Sequence, residues 1–149
     1  MIGPRLLRVG VLIAGVFLPA CGDSSGPETT SGDFALLTAN GSAPPVLVGA
    51  TVSCDQFLVS GQVTLTPTRT FDLVGSVSID CTRAGGAVQS QPFGLSGVYA
   101  LNGQGITFTI PGQASLSGSI HGDTLSATIP ASQFTFPNPV ALVLTRVTQ

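Results

Sequence analysis

Lysine and tryptophan are absent from this 149-residue chain, histidine and tyrosine occur once each, and charged residues make up only 8% of it. All five cations are arginines, and two of them, Arg5 and Arg8, sit in the first eight residues. From Cys21 onward three arginines face seven carboxylates, a formal charge of −4. So few cations offer no basic patch to neutralise phosphates, so no nucleic acid partner is expected. Attraction to anionic headgroups is unexpected for the same reason. Metal sites need three or four clustered ligands, and no such spacing is visible, so neither a metal nor another cofactor is expected. The lone His121 borders a tight turn beside Asp123, which is better explained by that turn than by catalysis. No paired carboxylates share an apolar face, since Asp72 and Asp80 fall opposite one, and no base stands beside the many serines and threonines. Past Cys21 no apolar run approaches the roughly 20 residues that span a bilayer.

The first residues do carry a pattern. Arg5 and Arg8 precede an apolar run, Val9 to Leu18, too short to span and suited to the core of a secretory signal. It leads into Leu18-Pro19-Ala20-Cys21, where a small residue stands before a cysteine. This order resembles the lipobox of bacterial lipoproteins, with Pro19 as a departure from the usual pattern. The resemblance implies a signal helix over 1–20, cleavage before Cys21, and lipidation of Cys21 as the membrane anchor. Gly22 stands where inner-membrane retention signals carry Asp, so the resemblance favours the outer membrane over the inner. Residues 21–32 then read as the lipidated cysteine and a flexible tether of small, polar, turn-forming residues.

With Cys21 lipidated, Cys54 and Cys81 remain as a pair. Two cysteines in an exported chain usually form a disulfide, and a metal or redox pair lacks CxxC spacing or a nearby histidine. From Asp33 to the end, apolar residues recur with period two between Gly and Pro punctuation, predicting a single all-β domain over 33–149. Phe34–Ala39 opens it, and Val46, Val48, Ala50 and Val52 form a second strand. Phe57, Val59, Gly61, Val63 and Leu65 form the apolar face of a third. A three-residue loop then pairs Leu65 with Phe71, Val63 with Leu73 and Gly61 with Gly75. Carried outward, this register misses a Cys54–Cys81 pairing by one residue, which a bulge near Asp55-Gln56 would correct. Arg83–Ser90 reads as a loop. A hairpin closed by Asn102-Gly103 or by Gly103-Gln104 puts Tyr99 and Phe108 on one face. Another, closed by Gly122-Asp123, pairs His121 with Thr124, Ile120 with Leu125 and Gly118 with Ala127. Phe134 and Phe136 lie in a proline-bounded connection, and Val140–Val147 is a nearly continuous apolar final strand, as expected where both faces are covered or where the strand seals a barrel.

About eight or nine strands in sequential hairpins predict an antiparallel up-and-down meander, closed as a barrel or folded as a β-sandwich. Phe34-Ala-Leu-Leu-Thr-Ala-Asn-Gly41, Leu95-Ser-Gly-Val-Tyr99, Ile106-Thr-Phe-Thr109 and the Ser117–Leu125 hairpin resemble small lipocalin-like barrels of bacterial lipoproteins. That resemblance implies the barrel and brings no catalytic residues. The expected function is a non-enzymatic structural or interaction module of the cell envelope, held at the membrane by its lipid. The alternative is a carrier or sensor with a small apolar ligand inside the barrel, its cavity lined by Phe71, Tyr99 and Phe108. A continuous cavity of about 300 Å3 or more would favour the carrier, and a packed interior would oppose it.

Overall fold

The computed structural model describes residues 30–131, 134 and 136–148. Nine strands form one antiparallel sheet: β1 (Gly32–Ala39), β2 (Val46–Ala50), β3 (Asp55–Leu65), β4 (Thr70–Asp80), β5 (Val88–Asn102), β6 (Gly105–Thr109), β7 (Leu116–His121), β8 (Thr124–Ile129) and β9 (Val140–Arg146). From β3 to β9 each strand pairs with its predecessor, and β1 then pairs with both β9 and β3. The sheet therefore closes into an eight-stranded barrel with β2 as an additional strand, an architecture consistent with a lipocalin-like barrel. Closure decides against the sandwich alternative, and it leaves no edge along most of the wall.

β2 departs from a strict meander. β3 is long enough for Gln62–Leu65 to pair with β1 and Asp55–Leu58 with β2, both on the same edge. β1 and β2 are thus two pieces of one strand line, interrupted by the Asn40–Pro45 excursion. That excursion contains a cis peptide at Pro44-Pro45. β2 ends at Ala50 rather than at Val52, which is 94% exposed in the following turn.

The predicted β3–β4 register is present: Leu65 faces Phe71, Val63 faces Leu73 and Gly61 faces Gly75. Arg69 takes the left-handed conformation (φ 66°) that ends a three-residue hairpin loop. The bulge that brings Cys54 and Cys81 together lies between Leu58 and Ser60, not at Asp55-Gln56. Its position reverses the alternation upstream. Leu58 is buried, Val59 is exposed, and Phe57 shares the outer row with Leu47 and Ser78. The one-residue insertion moves every preceding side chain to the other face. The expected loop Arg83–Ser90 is also shorter than read. A single turn of 3-10 helix covers Thr82–Ala84, and β5 starts at Val88, because Val88–Ser90 continue the ladder on β4.

For the β5–β6 hairpin the structure selects the Gly103-Gln104 turn, with Asn102 opposite Gly105 and Tyr99 opposite Phe108. Gly103 has positive φ (59°) and Gln104 does not, the signature of a type II′ turn. The Gly122-Asp123 hairpin has the predicted pairs throughout. β9 seals the barrel between β8 and β1.

Candidate functional site

The barrel interior is where a ligand would sit. Phe71 and Phe108 meet edge to face in it, ring centroids 4.9 Å apart. Inward-facing glycines set beside the rings let the aromatics fill the middle. The Phe71 ring lies over Gly97, and the Phe93 ring over Gly75. Any side chain added at these glycines would collide with ring or backbone atoms. The residual cavity, bounded by Val63, Phe71, Phe108, Leu125 and Leu142 among others, is about 10 Å3. A single water needs about 10–15 Å3 by the same kind of measure, and small-molecule pockets about 300 Å3 or more. Of the three residues expected to line a cavity, Phe71 and Phe108 border this small void. Tyr99 lies apart from it, and its hydroxyl donates to the Thr66 carbonyl at 2.8 Å.

One barrel end is closed by short turns: Pro67–Arg69, Gly103-Gln104 and Gly122-Asp123. β1 begins here and β9 ends here, because Phe34 is paired with Arg146. Arg146 continues the inward series of Leu142 and Leu144, so its guanidinium folds over the mouth, 4.7 Å from the Phe34 ring centroid. Its Nε donates to Asp123 Oδ1 at 2.9 Å and its Nη1 to the Ser31 carbonyl at 2.7 Å. The Thr64 hydroxyl donates to Asp33 Oδ1 at 2.6 Å, and the Val147 amide donates to the Asp33 carbonyl at 2.8 Å. These contacts fix residues 31–33 against β3 and β9. His121 stands exposed at this end opposite Thr124, and it lines neither the interior void nor the outer trough described below.

The opposite end carries the Cys54–Cys81 disulfide, which joins β3 to β4 just beyond the Asp55–Asp80 pair. Arg83 forms an ion pair with Asp55 beside it. The Thr82 hydroxyl and backbone amide both donate to Asp80 Oδ1, at 2.6 and 2.9 Å. The hydroxyl bond chiefly, then the amide, holds the Asp80 carboxyl below its usual range, with smaller help from Arg83. Asp72 is exposed and Asp80 only partly so. The β8–β9 connection crosses this end. Phe134 packs on Phe93 of β5 at 4.5 Å, Phe136 is fully buried, and Pro137 lies against Gly49 of β2. Proline-bounded spacing alone gives no sign that these phenylalanines plug the barrel, whereas the inward parity of Leu142 and Leu144 does point to Arg146, which was not among the expected site residues.

Outside the barrel, β7, β8 and β9 form a shallow trough of about 430 Å3, lined mainly by small side chains such as Ser117, Ser126, Thr128 and Ala141. Among the described residues no three His, Cys, Asp or Glu gather closely enough to hold a metal ion. Leu18, Pro19, Ala20 and Cys21, the expected cleavage and lipidation site, lie outside the described residues. No family model, curated protein or solved structure matches the chain.

Proposed function

We propose that this chain is an exported lipoprotein, cleaved before Cys21 and held by lipid on that cysteine. The barrel serves as a non-enzymatic structural or interaction module of the cell envelope, at the outer membrane in preference to the inner. The observation that carries the anchor is the order of parts in the sequence: Arg5 and Arg8, the Val9–Leu18 run, then Leu18-Pro19-Ala20-Cys21. What supports a scaffold over a carrier is the packed interior, whose void of about 10 Å3 is far below what a small molecule fills. The disulfide agrees with an oxidising compartment outside the cytosol.

A Cys21→Ser variant tests the anchor. It should lose the acyl mass and move from the membrane to the soluble fraction, and unchanged membrane retention would overturn the proposal.

A further inference from the structure

We infer that the barrel stands on the membrane by its short-turn end, with the disulfide end facing away from the lipid. The inference rests on the lipid anchor proposed above and adds an orientation to it.

Three observations carry it. β1 starts at Gly32, so the chain arriving from Cys21 joins the barrel at the end bearing the Pro67–Arg69, Gly103-Gln104 and Gly122-Asp123 turns. The junction is fixed there: Arg146 holds the Ser31 carbonyl, and Asp33 is bonded through both its side chain and its carbonyl. The direction in which the chain leaves the barrel is therefore set by ordered groups.

Length supplies the third observation. Eleven peptide steps separate Cys21 from Gly32, a reach of at most about 40 Å. β4, eleven residues long, rises roughly 28 Å along the axis at a tilt of about 40°. Turning the disulfide end to the lipid would require the tether to run back along the whole wall. That run takes about 28 Å of the roughly 40 Å the segment can reach, and no basic patch at the disulfide end offsets it. Its one arginine, Arg83, is already paired with Asp55.

The absence of tryptophan makes the test direct. Single tryptophans are introduced at exposed positions on the two ends, Gln104→Trp and Val52→Trp. The acylated protein is reconstituted into phosphatidylcholine vesicles containing a dansyl-headgroup lipid. Energy transfer should be at least about fivefold stronger from position 104 than from position 52, given the roughly 28 Å between the ends. Equal or reversed transfer would overturn the orientation. If mass spectrometry finds no lipid on Cys21, the anchor proposal fails separately. The orientation is then read after coupling the Cys21 thiol to a maleimide lipid, with the other two cysteines occupied by their disulfide.

Discussion

The two ends of the barrel solve the same problem with different chemistry. At the short-turn end, tight hairpins and polar contacts close the mouth. The Tyr99 hydroxyl caps Thr66, and Arg146 ties Ser31 to Asp123. At the disulfide end the loops are longer, and closure comes from a covalent bond and from Phe134 and Phe136 laid across the opening. Short turns bring their own hydrogen bonds and leave little space to fill. Long connections leave a mouth that only apolar mass or a cross-link can seal. The stability of the molecule should therefore depend more on individual residues at the disulfide end.

That comparison can be broken by substitution. Phe136→Ala removes the fully buried plug and should cost about 3–5 kcal/mol in urea unfolding, the range for a large aromatic lost from a core. A loss below about 1 kcal/mol would show that the disulfide end is not sealed by packing. Replacing Cys54 and Cys81 by serine opens a link of sequence separation 27. On the loop-entropy model the loss is about 3.5 kcal/mol, read as a lower denaturation midpoint. Tyr99→Phe deletes one hydrogen bond at the short-turn end and should cost only about 1 kcal/mol. If it cost as much as Phe136→Ala, the contrast between the ends would fail.

The smallest effect is a pH dependence at the disulfide end. The Asp80 carboxyl is depressed in the folded state by the Thr82 bonds. Its contribution to stability is thus present above the ordinary carboxylate value of 3.8 and is lost as pH falls through the lower folded value. Thr82→Ala should raise the Asp80 value toward the ordinary one in an NMR titration of the side-chain carboxyl. An unmoved titration would assign the depression to another cause.

Wherever a hairpin had a turn of fixed length, its register was legible before the structure. Pro67–Arg69 and Gly122-Asp123 each allow one pairing that keeps both apolar sets on the same face, and both pairings are present. The Asn102–Gly105 turn left two registers open, because parity alone does not distinguish Asn102-Gly103 from Gly103-Gln104. The bulge at Val59 was displaced from where it was expected. The cysteine pair demands one inserted residue somewhere between residues 54 and 65, and any position in between satisfies that count. Where it falls decides whether Leu58 or its neighbours Phe57 and Val59 point inward, and packing against the rest of the core sets that choice.

For the candidate site the division is similar. Period-two alternation was enough to determine an all-β domain with Phe71 and Phe108 facing inward, though not Phe57, and the cysteine count was enough to suggest the staple. Those are properties of neighbouring residues and of pairs across one hairpin. Whether Phe71 and Phe108 line a chamber or fill it depended on what enters from distant parts of the chain. Gly97 admits the Phe71 ring, Phe136 arrives from the β8–β9 connection, and β1 closes on both β3 and β9. Only the tertiary structure decided that the barrel is closed and filled. Volume is a property of all the strands at once, and no local pattern encodes it.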